Sequence, residues 1–315
     1  MKLSRFITFA IILALSLTAV PGYPAEPDWP AQLRFLSGPP GGSWFTLGTE
    51  LSGIWTGDGL PKTTSYQGGG VSNILNVHAK RADLAFSVTS LFNAALKGEA
   101  DFKGRSVDNV VIMTNLYSQY TYFIMRKDFA VRNKITSVED IIDKKLAVRF
   151  ATLRPGTSSE LVIKALFDKA YGLDYKKALQ DWGGSVEYVS YDGGADLLAD
   201  NHVDCFAFSV GKSASVIMNI ENSIDIVLLQ VSQTALDKLS EAYGTFSLTI
   251  EPGTYKSLPK DSEPVRAIGD YTCIIARNDL PDSLLQSLVK SIKLHSNKLT
   301  ESIKDTLELT QGTAE

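Results

Sequence analysis

Apolar and polar residues along the chain form a repeated unit of strand, small-residue turn and helix. The apolar run 33–36 predicts a short strand, which ends at the glycines and prolines of residues 37–42. A helix then begins near Ser43. Its apolar side chains recur at helical spacing, at Trp44, Leu47, Leu51 and Ile54. The turn therefore offers free backbone N–H groups at a helix N-terminus, which suits an anionic group.

The next part of the chain repeats this arrangement twice. Residues 62–67 predict a strand that runs into three glycines and a helix, and residues 82–87 predict a strand followed by a helix that ends at Gly98. Three consecutive units of this kind are typical of a parallel sheet with helices packed on it. In such sheets ligands bind beyond the carboxyl ends of the strands, where all three turns lie.

Two short strands are predicted at 110–115 and 120–126, on either side of the loop 116–119, and the polar segment 127–137 then leads into a second series. A strand at 145–151 then leads through Arg154-Pro155-Gly156 into a helix, whose Thr157 and Glu160 have capping-box spacing. Further strands at 186–191 and 203–210 each precede a turn that contains glycine. The second series thus has the architecture of the first.

These patterns predict an α/β fold with two lobes, each a mainly parallel sheet flanked by helices, and a ligand cleft between them. Residues 30–125 with 244–315 form the first lobe, and residues 127–243 form the second. Because the chain would cross twice between the lobes, hinge closure around a ligand is possible.

The first 25 residues differ from the rest of the chain. Lys2 and Arg5 precede an uncharged run over residues 6–20, and a proline and glycine follow. This pattern predicts a secretory signal peptide over residues 1–25 and an exported, periplasmic protein. Tyr23 fits poorly before a cut after Ala25, so an uncleaved membrane anchor is the alternative.

Composition and charge narrow the class of function. The chain has 315 residues, 44% of them hydrophobic, and a net charge of −4, with no basic cluster of the kind that binds nucleic acid. Cys205 and Cys273 lie in apolar strands, which favours two buried thiols, although export would allow a disulfide.

Sequence motifs for catalysis are missing. The three histidines are scattered, and no metal-ligand spacing, nucleophile elbow or phosphate-binding loop appears. We therefore expect a protein that is not an enzyme and that binds its ligand without a metal or cofactor.

Several stretches in order resemble one family of receptors. They are SGPPGGSWFTLGTELSGIW, ADLAFSVTSLFNAALKG, RPGTSSE, DNHVDCFAFSVGKSA, EPGTYKSLP and DYTCIIARNDLPDSLL, which together extend over residues 33–295. The chain resembles the TAXI-type solute receptors of TRAP transporters. It departs from their pattern at Val88, at Arg154 and at Lys212-Ser213, all in turns that would face a ligand.

The resemblance implies a type II periplasmic-binding-protein fold and a monomer that hands a solute to an ion-coupled TRAP permease. We expect the solute to be small and anionic, a carboxylate or an acidic amino acid. An extracytoplasmic receptor that senses a ligand for a signalling partner is the alternative, and an uncleaved anchor would favour it.

Polar and aromatic residues of the predicted turns are the candidate ligand-binding residues. They are Gly42, Ser43, Trp44, Phe45, Gly70, Val71, Ser72, Thr89, Tyr117, Arg154, Thr157, Ser158, Ser159, Tyr191, Asp192, Ser209 and Lys212. Arg154 is the candidate for a bidentate carboxylate clamp, because its planar guanidinium matches that geometry. A surface arginine with a packed stem is the alternative, and Lys212 is then the substitute cation.

Overall fold

The computed structural model describes residue 26 and residues 28–105 and 107–303. Within these ranges the strands are β1 (Gln32–Leu36), β2 (Lys62–Tyr66), β3 (Leu84–Val88), β4 (Val110–Arg126), β5 (Arg149–Leu153), β6 (Ser185–Val189), β7 (Cys205–Val210), β8 (Ile226–Leu228), β9 (Phe246–Ile250) and β10 (Val265–Arg277). The helices are α1 (Ser43–Gly57), α2 (Gly70–His78), α3 (Thr89–Lys97), α4 (Lys127–Asn133), α5 (Val138–Asp143), α6 (Ser158–Tyr171), α7 (Tyr175–Asp181), α8 (Tyr191–Ala199), α9 (Ser215–Ser223), α10 (Gln233–Tyr243), α11 (Asp282–Leu294) and α12 (Ser296–Ile303).

Residues 1–25, the predicted signal peptide, lie outside the described residues. Among the residues that are described, no helix has both the length and the apolar character to cross a membrane.

The strands hydrogen-bond in the order β2-β1-β3-β10-β4-β7-β5-β6, with β9 on β10 and β8 on β4. β1 pairs in parallel with β2 and β3, and β5 pairs in parallel with β6 and β7. We call the first set with its helices the first lobe and the second set the second lobe. β4 and β10 connect them, so the predicted two-lobed α/β architecture is present.

Because β4 pairs with β10 on one side and with β7 on the other, the carboxyl ends of both sets of parallel strands lie close together. Val88, the last residue of β3, lies opposite Thr272, which in turn lies opposite Tyr117 of β4. Val210, the last residue of β7, lies opposite Tyr120 of the same strand. The turns that follow the parallel strands therefore face each other across residues 117–120, and this is the position of the cleft.

One prediction about β4 is wrong. Two short strands with a loop at 116–119 were expected, but β4 is continuous over its 17 residues. The polar residues Ser118 and Gln119 suggest a loop when read locally. In the fold Ser118 and Gln119 lie opposite Tyr271 and Asp270 of β10. Pairing with this strand satisfies the backbone N–H and C=O groups of both residues, so β4 continues through them.

The residue bounds of the two lobes stay a prediction. The segment after β9, which was predicted in the first lobe, also packs against strands of the second lobe. Ile250, Tyr255 and Val265 pack in the same apolar cluster as Phe206 and Phe208 of β7. This part of the C-terminal segment therefore contacts the second lobe.

Helix ends follow the local signals. Thr157 caps α6 by accepting a hydrogen bond from the Glu160 N–H, although the Glu160 side chain turns away to the Tyr175 hydroxyl. Tyr191 was predicted at the end of a strand, and this is wrong. Ser190 accepts a hydrogen bond from the Gly193 N–H, so α8 begins at Tyr191.

Each set of parallel strands has an arginine–aspartate ion pair at the amino ends of its strands, and the two pairs have the same geometry. The Asp83 carboxylate accepts hydrogen bonds from the Arg34 backbone N–H at 2.8 Å and from its guanidinium at 3.1 Å. The Asp204 carboxylate does the same for Arg149, at 2.9 and 3.0 Å. We call Arg34–Asp83 and Arg149–Asp204 the amino-end pairs.

The two cysteines are free and buried, as predicted. Cys205 lies in β7 and Cys273 in β10, and β4 separates these strands in the sheet. Burial raises the pKa of both thiols, so they act as apolar core residues.

Candidate functional site

A small cavity lies where the turns of the two lobes meet. Its lining residues are Pro39, Gly42, Ser43, Trp44, Gly69, Gly70, Gln119, Leu153, Thr157, Ser158, Ser159 and Tyr191. The turns after β1 and β2 contribute from the first lobe, and those after β5 and β6 contribute from the second. The cavity therefore occupies the position where open α/β sheets bind ligands.

Glycine allows the two lobes to touch at this cavity. A Cβ atom on Gly70 would lie 2.8 Å from Leu91 Cδ2 and 2.9 Å from the Ser158 nitrogen. A Cβ atom on Gly42 would lie 2.7 Å from the Tyr191 ring. Only a residue without a side chain permits these approaches. The Val71 N–H donates a hydrogen bond across the gap to the Gly156 carbonyl at 3.1 Å.

The cavity has a volume of about 20 Å³. This is room for one water molecule. A solute of several heavy atoms fits into this cavity only if the facing turns move apart. The described arrangement is thus one in which the lobes are in close contact.

Three helices begin at the cavity, and their first-turn N–H groups lie beside it. α1 and α2 have Gly42 and Gly69 as N-caps, which provide no side-chain oxygen. Of their first-turn N–H groups, that of Phe45 donates to the Gly42 carbonyl and that of Val71 to the Gly156 carbonyl. α6 begins at Ser158, after Thr157. Neither α1 nor α2 has an acidic residue in its first turn. The helix dipoles therefore make the local potential positive and favour an anionic group or a hydrogen-bond acceptor.

No charged side chain lines the cavity in the part of the chain that the structure describes. Glu160, in the first turn of α6, is buried but accepts a hydrogen bond from the Tyr175 hydroxyl at 3.0 Å, away from the cavity. Burial raises the pKa of the Glu160 carboxyl, with the Tyr175 hydrogen bond acting in the opposite direction. Neutral donors therefore surround the cavity.

A hydrogen-bond network holds the wall contributed by the second lobe. The Tyr191 hydroxyl donates to the Ser209 carbonyl at 2.9 Å, and the Ser209 N–H donates to Ser159 Oγ at 2.9 Å. Ser209 Oγ and Thr121 Oγ1 lie 2.7 Å apart, which ties the network to β4. Burial raises the pKa of the Tyr191 phenol, so this residue stays a neutral donor.

Trp44 forms part of the wall contributed by the first lobe. Its ring is 6% exposed and lies 5.7 Å from the ring of Phe86. Its Nε1 atom donates a hydrogen bond to Thr272 Oγ1 at 3.1 Å. These contacts fix the indole in one orientation beside the cavity.

The structure brings about half of the candidate ligand-binding residues to the cavity. These are Gly42, Ser43, Trp44, Gly70, Thr157, Ser158, Ser159 and Tyr191. Ser209 lies directly behind this wall, through the bonds given above. Whether these residues bind a ligand stays a prediction.

Other candidates lie elsewhere. Phe45 is 39% exposed on the outer side of α1, while Val71 and Tyr117 are buried in the core. Ser72 is exposed and donates to the Gly69 carbonyl, and Thr89 Oγ1 donates to Asp270 at 2.8 Å.

The two candidate cations do not line the cavity. Arg154 is exposed in the turn before α6. Lys212 is half-buried, and its backbone carbonyl accepts hydrogen bonds from the Tyr122 and Tyr255 hydroxyls. Asp192 is exposed opposite Gly41, whose Cβ position is 3.4 Å from its Oδ1 atom.

Sequence reasoning missed Gln119, together with Pro39, Gly69 and Leu153 of the lining. Gln119 is 5% exposed, and its Oε1 atom is buried without a hydrogen-bond partner among the described residues. The available signal was the run of β-forming residues on both sides of it, which favours one uninterrupted strand. A glutamine inside such a strand must be paired or must face a cavity.

Comparison with known proteins identifies the class of fold. Residues 35–314 match the model of the NMT1-like family. The periplasmic binding protein BugD superposes with a TM-score of 0.55 at 14% identity, over 88% of each chain. MatC from Rhodopseudomonas palustris with bound malate gives 0.54 at 13% identity, over 88% of this chain and 89% of that one.

A TctC solute binding protein from Polaromonas gives a TM-score of 0.50 at 14% identity, over 92% of this chain and 93% of that one. At these identities the likeness shows the fold alone. It confirms the predicted fold, that of the two-lobed periplasmic binding proteins.

Proposed function

Because the chain belongs to the NMT1-like family, we propose that it is an exported receptor that binds a small carboxylate between its two lobes. Lobe closure captures the solute, and the closed receptor delivers it to an ion-coupled membrane permease. The observation that carries this proposal is the convergence of the α1, α2 and α6 N-termini on one cavity without charged side chains.

The anionic character of the solute follows from that convergence. N–H groups at helix N-termini bind carboxylate oxygens well, since each helix adds a partial positive charge. A cationic solute has no carboxylate to pair with in the described lining. The malate bound to MatC, a protein of the same fold, is consistent with a carboxylate here.

The contacts between the lobes indicate which interactions must break before a solute can enter the cleft. A solute enters only when the Val71–Gly156 hydrogen bond opens. The ion pair between Lys164 of α6 and Asp101, at 2.9 Å, must open with it. The side chains of the Lys164–Asp101 pair are 54% and 31% exposed, so breaking this ion pair costs little free energy. β4 and β10 bend between the lobes as hinge strands.

The lining supports binding rather than catalysis. It contains serine hydroxyls but no base to activate them, because the histidines lie elsewhere. The His78 ring contacts Asn109, and His295 Nε2 lies 3.1 Å from Asp58. Activation of a serine nucleophile needs a base within hydrogen-bond reach.

The permease and the location belong to the same proposal. The sequence resemblance to TAXI-type receptors supports a TRAP permease and a periplasmic monomer. The likeness of fold to a TctC solute binding protein supports the general role of a receptor for a transporter. Residues 1–25 would direct export.

Thermal unfolding with added solutes tests the proposal. A ligand that binds only the folded state raises the unfolding midpoint as its concentration increases. Residues 26–315 should respond to at least one member of a panel of mono-, di- and tricarboxylates, and not to neutral or cationic solutes. A midpoint that rises only with a neutral or cationic solute would overturn the anionic assignment.

A further inference from the structure

Gln119 occupies a special position in the cleft. It lies on β4 opposite Asp270 of β10, and the next residue, Tyr120, is the first to pair with β7 of the second lobe. The turns around the cavity belong to one lobe or the other, whereas Gln119 belongs to the strand that both lobes share. Its amide therefore stays at the floor of the cleft when the lobes separate.

The Gln119 amide is built into the cavity and is incompletely bonded. The residue is 5% exposed and lines the cavity, and Oε1 has no hydrogen-bond partner among the described residues. A buried acceptor without a donor is costly, so such a group in a native protein needs a donor from outside the chain, such as an ordered water or a ligand.

Several hydroxyl groups near Gln119 are already engaged in hydrogen bonds. The Tyr191 hydroxyl donates to Ser209, and Thr121 pairs with the Ser209 hydroxyl. The carboxylate of Asp270, on the adjacent strand, accepts from Thr89 Oγ1, from the Ser90 N–H and hydroxyl, and from the Tyr271 N–H. The fold therefore leaves the Gln119 oxygen for a donor that is not part of this network.

We propose that Gln119 Oε1 accepts a hydrogen bond from a hydroxyl group of the bound carboxylate, and that the receptor therefore prefers hydroxycarboxylates to their deoxy analogues. This inference rests on the proposed function. The donor is a hydroxyl rather than an ammonium group, because the helix N-termini repel a cation and the described lining holds no carboxylate to pair with one.

Calorimetric titration with matched pairs of solutes tests the inference. The pairs are malate with succinate, lactate with propionate, and citrate with tricarballylate, each differing by one hydroxyl. The wild-type receptor should bind the hydroxylated member of its pair about 10- to 100-fold more tightly. Gln119→Met, which keeps the length of the side chain, should reduce this ratio to about 1 by weakening the hydroxylated member alone.

Two further variants control the result. Gln180→Met makes the same change on the exposed face of α7 and should leave the ratio unchanged. Gln119→Glu keeps an acceptor at the same place and adds a negative charge. It should weaken both members of a pair and preserve their ratio, which a merely structural role of Gln119 would not produce.

The failures of the two proposals are distinguishable. Equal affinity of the wild type for both members, or a preference that survives in Gln119→Met, overturns the role of Gln119 and leaves the receptor proposal intact. If no mono-, di- or tricarboxylate of the thermal-unfolding panel binds the wild type, the receptor proposal itself fails, and the inference fails with it.

Discussion

The two ends of the parallel strands use polar residues in opposite ways. At the amino ends, Arg34–Asp83 and Arg149–Asp204 are charged pairs whose carboxylates also accept backbone N–H groups. At the carboxyl ends, the cavity is lined by glycines, hydroxyls and one incompletely bonded amide. The carboxylates at the amino ends are satisfied within the chain, whereas at the carboxyl ends the Gln119 oxygen has no hydrogen-bond partner among the described residues.

This difference predicts two classes of variant. Changes at the amino-end pairs should reduce the stability of the fold and leave ligand affinity unaltered. Changes at the cavity should alter affinity and leave stability nearly unaltered.

The largest effect is expected at an amino-end pair. Asp83 accepts hydrogen bonds from Arg34 and also from Arg277 Nη1 at 3.0 Å. Asp83→Ala removes the carboxylate partner of Arg34 and one of the two carboxylate partners of Arg277, which keeps its ion pair with Asp279 at 2.8 Å. The variant should lower the free energy of unfolding by about 2 kcal/mol, because the Arg34 side chain is 46% exposed. Urea unfolding measures this, with the exposed Asp196→Ala as the control. A loss of ligand affinity without a loss of stability would contradict the comparison.

At the cavity, Gly70→Ala should reduce affinity without unfolding the protein. The added Cβ atom would come within 3 Å of the Ser158 nitrogen across the gap between the lobes, so the closed arrangement becomes strained and the open one loses this clash. Its other close neighbour, Leu91 Cδ2, is the end of a side chain within the same lobe, so that contact is the same in both arrangements. We expect the dissociation constant for the bound carboxylate to rise about tenfold or more. Gly57→Ala is the matched control, because nothing lies within 4 Å of a Cβ atom there. Equal effects of the two variants would exclude the close contact as the cause.

The pH dependence of stability should report on Asp270, which lies beside Gln119. Burial raises the pKa of this carboxyl, and the hydrogen bonds from Ser90, Thr89 and Tyr271 only partly oppose the shift. The folded state therefore holds the proton to higher pH than the unfolded state, whose carboxyl titrates near 3.8. Stability from this group is fully present below that pH and is lost as the pH rises through the raised value.

Asp270→Asn removes this contribution to the pH dependence. The difference in free energy of unfolding between wild type and variant should change by up to about 1.4 kcal/mol per pH unit as the pH rises from about 4. Chemical unfolding at a series of pH values measures the difference. A difference that is independent of pH would show that Asp270 has the same pKa in both states.

The smallest effect is expected at Arg154. Its side chain is exposed and outside the lining, so Arg154→Ala should change carboxylate affinity less than about threefold, through long-range charge alone. The predicted carboxylate clamp requires a much larger loss. Titration of wild type and variant with the bound carboxylate at two salt concentrations distinguishes a long-range charge effect from a direct clamp, because salt screens the effect of an exposed charge.

Local sequence signals were sufficient for much of the fold. Strands followed by glycine-containing turns and helices are present in both lobes, and Thr157 caps α6 as its spacing from Glu160 predicted. The two cysteines are free and buried. These features depend on residues within a few positions of one another, which is the range over which propensity and capping act.

Tertiary structure decided the composition of the cleft. Gln119 looks like a loop residue until β10 pairs with residues 110–121 of β4. Tyr191 was predicted at the end of a strand, but it is the first residue of α8 and lines the cavity. Arg154 follows a strand at the correct edge, yet its side chain is exposed.

The chain by itself therefore determined the repeated units and the edge of the sheet where we propose that a ligand binds. Only the folded structure determined which polar side chains at that edge are satisfied internally and which are left unpaired. The physical reason is that burial and hydrogen-bond partners of Gln119 and Asp270 come from strands about 150 residues apart in the sequence, and no local pattern records that pairing.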